Sequence, residues 1–122
     1  DNLQVGGDVN LKNTPLKSLP NGLQVGGNLD LFGTPISSLP NGLKVEGKLD
    51  LTMAKIASLP DNLQVKGNLY LAMAKITSLP NNLQVGGYLN LENTPLSQKY
   101  SKDEIRKMIE DKGGYVKEDI YI

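Results

Sequence analysis

The chain has 122 residues, and its 13 basic and 13 acidic side chains leave no formal net charge, which argues against a broad nucleic-acid face or a polybasic membrane patch. It holds no Cys and no His, so thiol nucleophiles, Ser-His-Asp triads, zinc fingers and thiol redox chemistry are excluded. No apolar run approaches the ~20 residues of a membrane span, and the length suits one domain.

In chain order, one 20-residue unit recurs five times, starting at Leu3, Leu23, Leu43, Leu63 and Leu83. A unit this short cannot bury an apolar side alone and must stack on its neighbours, so the period predicts a solenoid. Residues 23–42 show the unit most clearly. Leu23/Val25 and Leu29/Leu31 alternate with Gln24 and Asp30, the period-two pattern of two short strands with one buried face. Gly26-Gly27 between them permits a corner, and their recurrence at the repeat period argues against a phosphate loop. Ser38-Leu39-Pro40-Asn41-Gly42 is a turn signal. Corresponding strands of successive coils are expected to pair in parallel, ~4.8 Å apart. Their inward residues then form ladders: Val9, Leu29, Leu49, Leu69, Leu89; Leu11, Leu31, Leu51, Leu71, Leu91; and Leu16, Ile36, Ile56, Ile76, Leu96. A fourth, Leu19, Leu39, Leu59, Leu79, stops at Gln98-Lys99.

These residues resemble the leucine-rich-repeat family. Leu29-x-Leu31-x-x-Thr34-x-Ile36 falls on that family's L-x-L-x-x-N-x-L core, and Leu39-Pro40 resembles the short LP-containing repeats of bacterial effector proteins and of bacteriophage genomes. The resemblance covers residues 1–96. It implies that the outward strand face binds partners. One departure concerns the family's Asn, which ties adjacent turns together: Thr14, Thr34, Ala54, Ala74 and Thr94 stand in its place. Thr supplies a weaker hydroxyl bond there and Ala none, so the family's Asn ladder is expected to be absent.

After Leu96 the pattern changes. Ser101 and Glu104 fit a capping box, and Ile105, Met108 and Ile109 share one helical face. Gly113-Gly114 stops the pattern, so a helix is expected over about residues 102–112. The tail Tyr115–Ile122 matches Gln64–Leu71 at every apolar position and reads as a strand over about 115–122, forming a partial sixth coil. The expected fold is mainly β: a leucine-rich-repeat-like solenoid of five coils over 1–96, with a C-terminal cap of helix and strand over 97–122 packed on it as one domain. The helix is expected to shield the last coil from water. The start at Asp1-Asn2-Leu3 matches Asp61-Asn62-Leu63, as if the array were entered in mid-repeat, and this end shows no equivalent cap. Open strand edges there are a site for self-association.

Outward columns on the second strands carry the candidate site: Asp8, Asn28, Lys48, Asn68, Tyr88; Asn10, Asp30, Asp50, Tyr70, Asn90; Lys12, Phe32, Thr52, Ala72, Glu92; and the neighbouring loop column Asn13, Gly33, Met53, Met73, Asn93. The third and fourth repeats differ together, with TMAKI and AMAKI where the others have NTPL or GTPI. Phe32, Asp30, Asp50, Met53, Tyr70, Met73 and Tyr88 are therefore the candidate partner-binding residues. Large exposed apolar and aromatic groups anchor protein interfaces. Met53 and Met73 are weighed against folding under the coil as gap fillers, which is the favoured reading for Met. Asp30 and Asp50 form a stacked carboxylate pair that could serve acid–base work or hold a hard cation, but a solvated ladder neutralised by Lys48 is favoured.

The functional expectation is a non-enzymatic module with no cofactor and no metal, binding another protein through the outward strand face. One alternative is a structural or self-assembling segment of a larger bacterial or phage protein, stacked through its N-terminal end. Another is a phage-type inhibitor that binds a small molecule or nucleotide.

Overall fold

The computed structural model describes residues 3–122, and Asp1 and Asn2 lie outside the described residues. Each 20-residue unit contributes two strands of two residues. The first strands are β1 (Gln4–Val5), β3 (Gln24–Val25), β5 (Lys44–Val45), β7 (Gln64–Val65) and β9 (Gln84–Val85). The second strands are β2 (Val9–Asn10), β4 (Leu29–Asp30), β6 (Leu49–Asp50), β8 (Leu69–Tyr70) and β10 (Leu89–Asn90). All pairings are parallel. They build two six-stranded sheets, one from the first strands and one from the second, so the chain winds as a β-solenoid.

The register equals the sequence period: Val25 pairs Val45, and Leu29 pairs Leu49. Stacking identical positions is what buries the ladders. Leu29, Leu49, Leu69 and Leu89 are fully buried, as are Leu31, Leu51, Leu71, Leu91, Ile36, Ile56 and Ile76. Leu23, Leu43, Leu63 and Leu83 add a further ladder in front of the first strands. The first coil is less well covered. Val5, Val9, Leu11, Leu16 and Leu19 are only partly buried, and Leu3 is 51% exposed.

The expected tail strand is two strands, β11 (Tyr115–Val116) and β12 (Ile120–Tyr121), because the corner of the preceding coils recurs at 117–119. Tyr115 pairs Gln84 and Ile120 pairs Leu89, so the tail extends both sheets in the register that its apolar match to Gln64–Leu71 requires.

Two helices precede it. The short α1 (Pro95–Lys99) was not expected from the sequence. Thr94 caps it, accepting from the Ser97 amide at 3.2 Å and donating to the Leu91 carbonyl at 2.7 Å. The other Thr-Pro units carry Leu-Pro further on, and proline pushes its preceding residue out of the α region. Gln98-Lys99 lacks that block, so the turn continues as helix. The main helix α2 spans Lys102–Asp111, one residue short of the expected end, with Lys112 as its C-cap. Ser101 and Glu104 close the capping box at 2.8 and 3.2 Å. Gly113 follows at φ 84°, a left-handed position that glycine takes without steric cost.

Ile105 and Ile109, one helical turn apart, are fully buried in the same core as Val116 and Ile120. Arg106, on the same helix, donates to the carbonyls of Val116 at 2.7 Å and Glu118 at 2.6 Å. In earlier coils the equivalent carbonyls, Val5 and Gly7, accept from Gly26 and Gly27 of the following coil. The planar guanidinium fork thus replaces two backbone donors of a seventh coil and seals this strand edge.

Candidate functional site

The outward side of the second-strand sheet carries every candidate residue, and its columns do different work. In the column of Asp8, Asn28 and Asn68, each side chain reaches forward one coil. Asp8 Oδ1 accepts from the Asn28 amide at 2.7 Å, Asn28 Oδ1 from Lys48 at 2.8 Å and Asn68 Oδ1 from Tyr88 at 2.9 Å. The expectation of no tying ladder therefore holds only at the Thr/Ala position, and a different column supplies one. Thr14 and Thr34 instead close their own turns, donating to Leu11 and Leu31 carbonyls at 2.7 and 2.9 Å.

Asp30 and Asp50 are turn residues. Asp30 Oδ1 accepts from the Phe32 amide at 3.0 Å and Asp50 Oδ1 from the Thr52 amide at 2.9 Å, the local turn that Asp and Asn favour. Asn10 and Asn90 make the same bond in their coils. The expected neutralising pair of Asp50 with Lys48 does not form. Among the described residues the ion pairs are Lys66–Glu46 at 2.9 Å and Lys107–Asp111 at 3.1 Å. Lys48 Nζ instead lies 5.9 Å from the Tyr70 ring centre, within range of a cation–π contact. Hydrogen bonding to Glu46, aided by its charge, raises the Lys66 pKa. No cluster of acidic side chains among the described residues could hold a metal ion.

Met53 and Met73 correct the packing expectation: they are 50% and 47% exposed. They also stand in left-handed backbone, φ 62° and 59°. Their column is left-handed in all five coils, with Asn13, Gly33 and Asn93 at φ 58°, 69° and 59°. A second left-handed column consists of Gly22, Gly42, Asn62, Asn82 and Gly113. Of these ten positions, only the two methionines are residues that the conformation disfavours, at a cost of about 1 kcal/mol each. The stack imposes the angle: Met53 donates to Ala72 at 2.9 Å and the next amide, Ala54, to Leu51 at 3.0 Å.

The aromatic residues separate into two places. Phe32, half-buried, lines a depression with Lys12, Asn13, Asp30 and Asp50 near the N-terminal half. Tyr70 and Tyr88 lie further along, edge to face with centroids 5.5 Å apart and hydroxyls 2.8 Å apart. Asn68 orients the pair, donating through Nδ2 to the Tyr70 hydroxyl at 3.2 Å while its oxygen holds the Tyr88 amide. The hydrogen bond it shares with Tyr70, followed by burial and the charges of Tyr70, Tyr121 and Glu118, pushes the Tyr88 phenol up to about 12. Tyr121 stacks edge to face on Tyr88 at 5.1 Å and is 41% exposed. Sequence reasoning left it out of the site, although aligning the tail with Gln64–Leu71 places it in the column of Tyr70. Met53 occupies the coil between Phe32 and Tyr70, and Met73 shares the coil of Tyr70, so the face forms a row along the solenoid rather than one cluster.

Comparison of the chain with protein-family models, with curated proteins and with solved structures finds no match.

Proposed function

We infer that this chain is a non-catalytic, leucine-rich-repeat-like module that binds another protein through the outward face of its second strands. The observation that carries the reading is the pair Met53 and Met73. Side chains held half-exposed, in a backbone conformation that disfavours them, on two adjacent coils, cost stability without filling a core. Such local departures are expected where a surface serves binding rather than folding. Phe32 on one side and Tyr70, Tyr88 and Tyr121 on the other extend the row with the aromatic groups that anchor interfaces. Asp30 and Asp50 shape the turns that present Phe32 and the Met53 loop.

The test is the double substitution Met53→Asn with Met73→Asn, using the residue that Asn13 and Asn93 place at the same position. It is expected to stabilise the fold by about 1–2 kcal/mol in denaturant melts, by removing the backbone penalty twice. It is also expected to abolish retention of the partner in affinity capture from the source organism. Capture of the same species by both forms would overturn the reading.

A further inference from the structure

The chain holds no Cys, Trp or His, so its three methionines are its most readily oxidised side chains. They stand in two environments. Met108 lies on α2, partly buried against the core, whereas Met53 and Met73 are half-exposed on adjacent coils. An oxidant must reach the sulfur, so the outward pair reacts first. The two residues are equivalents, four places beyond the paired Leu49 and Leu69, and coils ~4.8 Å apart set them side by side in one column. The same column shows that the fold accepts a polar group there. Asn13 and Asn93 fill it in the first and fifth coils, in the same left-handed backbone. A methionine sulfoxide carries a polar oxygen, so oxidation gives the third and fourth coils the polar surface that the first and fifth have by sequence. The core is not touched by it. Leu51, Ile56, Leu71 and Ile76 fill these coils, and the methionines hold their turns through backbone amides, which donate to Ala72 and Glu92 at 2.9 Å.

We propose that Met53 and Met73 are a reversible oxidation site that switches the binding row off, a regulation that rests on the protein-binding reading of this face. The oxidant is a peroxide. A sulfur lone pair attacks one peroxide oxygen, and a sulfur–oxygen bond forms as the oxygen–oxygen bond breaks. The departing hydroxide takes the proton of the transferred oxygen and leaves as water. Each sulfur gives up two electrons, and the peroxide is reduced. The apolar centre of the row becomes polar on two coils at once, while the core stays apolar. Methionine sulfoxide reductases restore the thioether, which makes the change reversible.

The experiment treats the full chain with dilute hydrogen peroxide and follows each methionine by peptide mass spectrometry. Met53 and Met73 are expected to gain oxygen about fivefold or more faster than Met108, with no fall in melting temperature while Met108 is still reduced. The chain so oxidised is expected to lose the species that the reduced chain retains from the source organism, and to regain it after treatment with methionine sulfoxide reductases. Met108→Leu, a volume-conserving exchange, leaves only the outward pair to oxidise and is expected to lose the species in the same way. Met108 reacting as fast as the pair, a fall in melting temperature on oxidation of the pair, or retention of the species by either oxidised form would overturn the proposal. Retention by the Met53→Asn with Met73→Asn form, or no species retained by the reduced chain, would instead overturn the protein-binding reading, and the switch with it.

Discussion

The two ends of the solenoid are built from the same coil and finished differently. At the C-terminal end Ile105 and Ile109 are fully buried against the last coil, and Arg106 bonds two edge carbonyls. At the N-terminal end of the described residues the equivalent apolar ladder is only partly covered, and β1 and β2 are the edge strands of the two sheets. A repeat solves its own packing only through a neighbour, so whatever terminates the array must replace that neighbour's apolar side and its backbone donors. The helix does both here, using two isoleucines for the core and one guanidinium for the edge.

The largest expected contrast is in the core. Ile109→Ala should destabilise by about 2–5 kcal/mol, because it leaves a cavity under the helix, whereas Val5→Ala at the open end should cost less than about 1 kcal/mol. Equal losses in urea melts would erase the distinction between the ends. Next in size, Arg106→Ala leaves the Val116 and Glu118 carbonyls without their donor and should cost about 1–3 kcal/mol. Arg106→Lys should recover only part of it, since an ammonium is a point donor and not a fork; full rescue would mean that charge alone seals the edge. Ser101→Ala, which removes the cap of α2, should cost about 1 kcal/mol.

The smallest effect is a pH dependence confined to the sealed end. The Tyr88 phenol is raised from its ordinary value near 10 to about 12. Below pH ~10 both folded and unfolded chains keep this proton, and the contribution is complete. As pH rises towards 12 the unfolded chain releases it first, so stability falls across that window. Tyr70→Phe should lower the Tyr88 pKa and flatten the fall, as read by ultraviolet titration and by melts at each pH. An unchanged profile would remove the hydroxyl pair as its cause.

The sealed end was largely readable in advance. Ser101 with Glu104 announces a helix start, Ile105 and Ile109 share a face, and the tail repeats the apolar positions of Gln64–Leu71. Arg106 was not readable as an edge cap, because its contacts depend on where the helix lands over β11. The site shows the same division. The outward columns follow from period-two alternation, so Phe32, Met53, Met73, Tyr70 and Tyr88 could all be placed on one side. Their grouping could not, because the Tyr70–Tyr88–Tyr121 contacts join residues of three coils through side-chain directions that spacing does not encode.

What the amino-acid sequence determines by itself is the solenoid. A 20-residue period with two alternating strand pairs has one way to bury its leucines, which is to set each residue on its equivalent in the next coil. What the tertiary structure alone decides is the fate of residues that break the pattern. The methionines have a local preference for packing inward. A coil-to-coil hydrogen bond from each methionine amide and a bond within the turn from the next amide hold the backbone left-handed instead, and Met53 and Met73 stand half-exposed to solvent.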